Sequence, residues 1–325
     1  MKEKKVLSQR LVFTEQSGFA LAMVLVTVFI LEMVCFFLAQ SRGIQTMMAF
    51  NRIKKVKALY LAEAGLAHGL WQLAQDPNWR AQMTDLSLGD GSYTVSFTED
   101  IPRHCVSIDS RAVAQGTKSS AGRNVFWLTI QPQSSGIFRG EDTYISDEHE
   151  DDKYEDNEPK RLMLDSETNK LYRTLVRFDL GKYPLPADAA IVSSRFSLYL
   201  FKGPSDDPLN WPQVSYRLHR ITNRWIDLET TWRNRYNYHP WAAPGGDFNA
   251  GSEDSRTFTD LGWQTWHATG LTRFWMKYPS SNYGLILEAS SQSGNYEYRF
   301  HSSANTTNPA LSPKLTVYYL DWRRP

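Results

Sequence analysis

Cysteine is scarce in this chain: 2 among 325 residues, Cys35 inside an apolar run and Cys105 far beyond it. A disulfide framework is therefore excluded as the source of stability, which must come from packing. An excess of one charge is also missing. With 36 Lys and Arg against 35 Asp and Glu, the formal net charge of +1 gives no global reason to expect nucleic acid as a partner. Catalytic signatures are lacking: there is no H-E-x-x-H, no G-x-S-x-G, no Walker loop, and no G-x-G-x-x-G with a strand before it. The histidines His149, His219, His239, His267 and His301 are scattered, and His104 with Cys105 gives two metal ligands without a third nearby. Carboxylate pairs such as Asp206-Asp207 and Asp227 with Glu229 read as turns and strand ends. The expectation is a protein that is not an enzyme. Long hydrophobic runs are rare too, since 42% hydrophobic and 22% charged residues describe an ordinary folded chain. One segment stands apart.

That segment is EQSGFALAMVLVTVFILEMVCFFLA, residues 15–39, in which Glu32 is the sole carboxylate after Gly18. Its stretch from Phe19 to Ala39, about 21 residues at ~1.5 Å each, is long enough to cross a ~30 Å hydrocarbon core. The leader before it is basic (Lys2, Lys4, Lys5, Arg10), but the apolar run is longer than a secretory h-region and no small-x-small cleavage site follows. Arg42, Arg52, Lys54, Lys55 and Lys57 flank the far side, so charge bias leaves the orientation open. These bases read as facing lipid headgroups rather than nucleic acid. Further on, Ile53, Val56, Leu59 or Tyr60, Leu66, Leu70 and Leu73 step by threes and fours, predicting that an amphipathic helix continues to Gln75 and stops before Pro77. Gly43 and Asn51 are the places where such a rod would bend or melt.

Strand-like alternation follows at residues 92–97, 105–114 and 124–130. Three antiparallel strands laid on the end of a helix predict a small α+β head over residues 76–132. Residues 133–140 have the Ser/Gly-containing character of a linker. From 141 to 320 the runs LYRTLVRFDL, AIVSSRFSLYLF, VSYRLHRIT, YGLILEAS, YEYRFHSS and KLTVYYL recur between Pro- and Gly-rich breaks, predicting an all-β, jelly-roll-like sandwich, with 321–325 a tail.

Two groups of side chains in this second region can carry chemistry. The acidic run holds Asp147, Asp151, Asp152 and Asp156 among further carboxylates. Such a density of hard oxygens suits calcium, the one candidate cofactor, although no D-x-D-x-D-G loop fixes a geometry and a solvated charged loop has the same composition. Trp211, Tyr236, Tyr238, Trp241 and Phe248 lie in loop-like stretches with Arg233 and Arg235 close by. Flat rings stack on sugar faces and arginine pairs with uronate or sulfate, so these residues are candidates for a ligand-binding rim where loops cluster, although packing in the interior is the commoner role for any one such ring. Trp225 and Trp232 read as core.

Gly18-Phe19, at the border of charged and apolar sequence, resembles the prepilin peptidase site of type IV pilins and pseudopilins. Tyr60-Leu61-Ala62-Glu63-Ala64-Gly65, within KALYLAEAGLAHGLWQL, resembles the N-terminal region of the PilX family of minor pilins. Together the two signals imply a leader, residues 1–18, cut after Gly18, N-methylation of Phe19, and a retained helix over 19–75 whose part 19–39 spans the inner membrane. They further imply a cytoplasmic N-terminus, periplasmic or extracellular C-terminal domains, and prepilin peptidase and other pilins as partners. Met23 stands at the fifth mature position, where major pilins carry Glu. That departure implies a tip position, with Glu32 and Glu63 as further residues of filament docking. Residues 141–320 resemble the DNRLRE family of extracellular β-sandwich modules, some of which bind polysaccharide. The resemblance rests on Asp142-Thr143-Tyr144-Ile145, Val176-Arg177-Phe178-Asp179-Leu180, Trp225-Ile226-Asp227 with Thr231-Trp232-Arg233-Asn234, Asn282-Tyr283-Gly284-Leu285, Ser302-Ser303 and Pro313-Lys314-Leu315-Thr316-Val317. The implied function is a non-enzymatic minor pilin or tip pseudopilin presenting a sandwich for adhesion or polysaccharide binding. The alternatives are a subunit that only caps or primes assembly, and a polysaccharide-acting enzyme.

Overall fold

The computed structural model describes residues 3–131, 141–154, 161–167, 170–183, 185–292, 294, 296–305 and 307–323, those of 3–18 as backbone only. The linker expected at 133–140 lies outside the described residues.

Helix α1 runs unbroken from Glu3 to Gln75, 73 residues, or about 110 Å at ~1.5 Å per residue. It passes through Gly43 and Asn51, because a propensity cost of about 1 kcal/mol for one glycine is small against the good helix formers on either side. It ends where expected: Asp76 N–H closes the last turn on Gln72 O at 2.8 Å, and Pro77 disfavours helical geometry in the residue before it. Among the described residues this is the one helix long and apolar enough to cross a membrane.

Of the expected amphipathic stripe only Leu73 is buried. Ile53, Val56, Leu59 and Tyr60 are exposed, Leu66 and Leu70 are half-buried, and the buried positions are Ala58, Leu61, Ala62, Gly65, Gly69 and Leu73. The helix is covered along a face of small residues, which lets backbones approach. Glu63 is exposed, off that face.

The chain forms two compact units, one of residues 1–63, 85–93 and 111–120, the other of 64–84, 94–110 and 121–325. In the first, a Cβ on Gly91 would come 2.6 Å from Leu61 Cδ2 and 2.4 Å from Val113 O, and Lys57 pairs with Asp90 at 3.2 Å. In the second, a Cβ on Gly69 would meet Ile108 Cγ2 at 2.8 Å and Val95 at 3.1 Å.

Four consecutive strands make the head sheet: β1 (Met83–Leu88), β2 (Gly91–Asp100), β3 (Cys105–Ala114) and β4 (Thr117–Ile130), hydrogen-bonded in that order. β1 was not expected. Only Met83 in it is buried, so the apolar alternation that reveals a strand is absent there.

The remaining strands are β5 (Glu141–Ser146), β6 (Arg161–Glu167), β7 (Lys170–Arg177), β8 (Ala190–Lys202), β9 (Ser215–Arg220), β10 (Asn234–Tyr236), β11 (His239–Pro240), β12 (Asp254–Thr257), β13 (Gly262–His267), β14 (Leu285–Ala289), β15 (Tyr298–His301) and β16 (Lys314–Leu320). Helix α2 (Thr269–Lys277) buries Leu271, Thr272 and Trp275. One layer contains β16, β8, β13 and β15; the other contains β5, β7, β14, β9 and β12. β6 belongs to both, pairing Arg161–Leu164 with β15 and Asp165–Glu167 with β7. A strand that switches layers in this way forms a corner of a sandwich. The fold is thus α+β followed by an antiparallel sandwich.

β16 is paired on both edges, Leu315–Leu320 with Ile130–Val125 of β4 and Lys314–Leu320 with Ser197–Ala190 of β8. The last head strand is therefore a strand of the first sandwich layer as well.

Between the layers lie Phe196, Leu198, Leu200, Tyr216, Leu218, Phe258, Trp266, Tyr298, Phe300, Leu315 and Val317. A second core of Ile145, Leu175, Ile221, Trp225, Trp232, Trp241 and Ile286 covers the outer side of the second layer. Alternation divides the two: Leu175 and Ile286 point one way, Val176, Leu285 and Leu287 the other.

The residues that carried the sandwich resemblance meet one another. Ser303 donates its backbone N–H to Asp142 Oδ2 at 2.7 Å and its hydroxyl to Oδ1. Trp225 Nε1 donates to Tyr283 O at 2.7 Å, and Asn282 Nδ2 to Phe178 O at 2.8 Å. These are clamps that close the fold.

Candidate functional site

The expected aromatic rim divides into buried and exposed members. Trp211 is 4% exposed; its Nε1 donates to Ser205 O at 2.9 Å and its ring meets Tyr298 edge-on at 5.6 Å. Trp241, also 4% exposed, donates Nε1 to Thr231 O at 3.0 Å inside the second core. Neither presents a ring face to solvent, because each has a buried indole N–H that needs a protein acceptor. Tyr236 and Tyr238 stay near the surface on the β10–β11 hairpin. Tyr238 is 96% exposed with φ +60°, while Tyr236 lies 4.0 Å from the His239 ring with Arg235 5.3 Å above it.

Arg233 is committed elsewhere. It bonds Glu150 and reaches Asp151 at 3.7 Å, its backbone N–H donates to Glu150 O at 3.2 Å, and Lys153 Nζ bonds Asn237 Oδ1 at 2.8 Å. The acidic segment and the hairpin, separate expectations in the sequence, are thus one neighbourhood. Asp147 Oδ1 accepts the Leu171 N–H at 2.6 Å, and burial pushes its carboxyl above the usual range. Asp152 contributes its backbone N–H to His149 O at 3.1 Å, and Asp156 lies outside the described residues. Among the described residues no three His, Cys, Asp or Glu side chains converge on a point that would hold a metal. The acidic side chains here serve hydrogen bonds and Arg233.

On α1, Gly18 is helical, Phe19, Met23 and Glu32 are exposed, and Met23 O accepts the Thr27 hydroxyl at 2.7 Å.

Two features escaped sequence reasoning. The first is a charge cluster on the second layer, where Glu288 lies 3.2 Å from Arg173, 2.7 Å from Arg217 and 3.4 Å from His219. Burial pushes Glu288 up, but His219 and the two guanidiniums outweigh it and hold the carboxyl below its ordinary range. It borders a polar cavity of about 320 Å³ that also touches Asp165, Tyr172 and Ser290.

The second feature is a row of rings on the outer face of the first layer. β8 alternates, sending Phe196, Leu198 and Leu200 into the core and Tyr199 and Phe201 outward. On β13, Trp266 points inward and Trp263, three residues earlier, points outward beside Tyr199, its cross-strand partner. The ring centroids run Trp263–Tyr199 5.4 Å, Tyr199–His301 5.7 Å and His301–Phe201 4.7 Å. Lys314 Nζ stands 3.5 Å over the Trp263 ring. The near half of this face is covered by the end of α1, with Ser193 Oγ donating to Ala74 O at 3.3 Å and Arg195 to Gln75 O at 3.0 Å. In the aromatic half Phe201 is 38% exposed, and Tyr199, Trp263 and His301 are part-buried. Period-two alternation in AIVSSRFSLYLF was the signal that separates core rings from outward ones. No protein-family model matches the chain, and no curated protein matches it.

Proposed function

We propose that this chain is a non-enzymatic, membrane-inserted minor pilin or tip pseudopilin of a type IV pilus or type II secretion-like filament. Its sandwich serves adhesion or polysaccharide binding. The observation that carries the reading is the extent of bare apolar helix. Large apolar side chains are exposed from Phe19 through Phe36 and on to Met47, Ile53, Val56 and Tyr60. That distance is about 60 Å at ~1.5 Å per residue, twice a ~30 Å bilayer core. A membrane covers half; in the remainder Ile44, Met47, Met48, Phe50, Ile53, Val56 and Tyr60 alternate with Arg42, Arg52, Lys54, Lys55 and Lys57, and neighbouring helices of a filament bundle would cover the apolar side chains while the bases stay at headgroups or water. Met23 in place of a carboxylate leaves the amine of a preceding subunit without a counter-ion, a costly arrangement in an apolar bundle, so the reading places the subunit at a tip. Prepilin peptidase, other pilins and the inner membrane are its partners, with the N-terminus in the cytoplasm.

A second reading, a subunit that only caps or primes assembly, is favoured by one observation: the burial of Trp211 and Trp241 removes two rings from the expected rim. Sheared filament preparations test the reading. Wild-type chain co-purifies with filaments and a Gly18→Val variant stays in the membrane fraction; equal recovery of both in membranes alone contradicts it.

A further inference from the structure

Resting on the membrane half of that reading, we infer that the unassembled subunit lies inclined in the bilayer, with residues 42–49 of α1 as a one-sided interfacial segment and Arg52, Lys54 and Lys55 seated among anionic phospholipid headgroups. Its partner in that state is the membrane surface on the C-terminal side of the span.

Large apolar side chains are exposed from Phe19 to Phe50, about 48 Å of helix at ~1.5 Å per residue, whereas a bilayer with its headgroup layers is about 40–45 Å thick. An inclination of about 30° brings that length down to about 42 Å, within the range membrane helices adopt. The side chains of residues 42–49 fix which face is turned down. Ile44, Met47 and Met48, at i, i+3 and i+4, share one face; Arg42, Thr46 and Ala49, at i, i+4 and i+7, share the opposite one, with Gln45 beside them and Phe50 at the border. All are exposed, Met47 to 72% and Met48 to 60%. An upright rod meets a single medium at any one depth, so two unlike faces gain nothing there. An inclined helix turns its apolar face down to hydrocarbon and its polar face up to headgroups and water, where Arg42 extends along its stem. Glu32 is inside the hydrocarbon in both arrangements and does not distinguish them.

Charge complementarity selects the partner. From Met33 to Ala62 the chain has five bases and no carboxylate. Lys57 is engaged by Asp90 at 3.2 Å, but Arg42, Arg52, Lys54 and Lys55 form no ion pair among the described residues. With 3.6 residues per turn the five bases fall about 60–100° apart around the helix axis, so they encircle it. A protein partner meets one side of such a ring, whereas a headgroup layer surrounds a crossing helix on every side. Acidic headgroups supply the counter-charge that this stretch of the chain lacks.

The test uses the full-length chain in nanodiscs of phosphatidylcholine, with or without phosphatidylglycerol. A nitroxide on cysteine reports its contact with oxygen, which gathers in lipid, or with a water-soluble nickel chelate, by electron paramagnetic resonance. Wild type takes the label at Cys35, which is exposed whereas Cys105 is buried. In a Cys35→Ser background, Thr46→Cys, Met47→Cys, Met48→Cys and Ala49→Cys set it at neighbouring exposed positions. With phosphatidylglycerol the oxygen-to-nickel ratio at positions 47 and 48 exceeds that at 46 and 49 roughly threefold or more. Phosphatidylcholine alone, or Arg52→Gln, Lys54→Gln and Lys55→Gln combined, lowers that contrast by roughly half or more. Equal ratios at all four positions overturn the inclined state, leaving membrane insertion standing and the apolar face to neighbouring helices of a filament. The same contrast in both lipids and in the triple variant overturns the anionic assignment. Nickel contact at Cys35 as frequent as at position 49 overturns the inference together with the membrane half of the reading.

Discussion

Asp142 shows what single side chains do in the sandwich. Its carboxylate is 3% exposed and holds Ser303 by backbone and hydroxyl. Asp142→Ala leaves a buried N–H without its acceptor, and a hydrogen bond to a charged group is worth about 1.5–3 kcal/mol; urea unfolding should show a loss of about that size. Gly203 illustrates a steric constraint, since a Cβ there would lie 2.1 Å from Trp211 Cζ2. Gly203→Ala should cost about 1–3 kcal/mol in the same experiment, the usual penalty for overpacking. Glu141 gives the pH dependence. Burial raises its carboxyl to about 7 despite Arg177 beside it. Because the folded value exceeds the unfolded one, its contribution to stability is complete below about 4.5 and is lost as pH rises through about 7. Between pH 5 and pH 8 the melting temperature of Glu141→Gln should therefore rise relative to wild type. At this scale the sequence told core from surface for Trp225 and Trp232, and left Trp211 and Trp241 between packing and the candidate rim. A ring in a Pro- and Gly-rich stretch looks like a loop residue until the neighbour that buries it, here Tyr298 or Thr231, is brought in from a distant segment.

Among elements, the sandwich strands with strong alternation were legible: β9, β14, β15 and β16 fall within the runs read from sequence, and β7 and β8 each extend one residue beyond theirs. α2 was not, because nine residues with Thr, Phe and Trp carry weak helix propensity and too few turns to show a period. The stripe on α1 was misassigned for a different physical reason. Hydrophobicity marked its large side chains, whereas close approach to the head selected Ala58, Ala62, Gly65 and Gly69. The role of β16 could not be read at all, since pairing partners of a strand are set by the fold. Its two-sided pairing predicts that β4 and the sandwich are one stability unit. Amides of Val125–Ile130 should exchange with deuterium as slowly as those of Leu315–Leu320. Val317→Pro, which removes a donor from a strand paired on both edges, should deprotect both segments together. Fast exchange confined to 125–130 would contradict that unit.

In the whole molecule, a helix with exposed apolar side chains from Phe19 to Tyr60 belongs to the same chain as a sandwich that shares a strand ladder with the head. Neither feature depends on the leader, but the filament reading does. For the apolar run Phe19–Ala39 to pack among neighbouring helices its charged leader has to be removed, because Lys2, Lys4, Lys5 and Arg10 directly precede that run and are costly in an apolar interior. Mass spectrometry of the N-terminus of the chain purified from membranes and from filaments decides this. In filament material the mature chain should begin at Phe19 with a methylated amine; assembled chain that still carries Met1–Gly18 would contradict the filament reading.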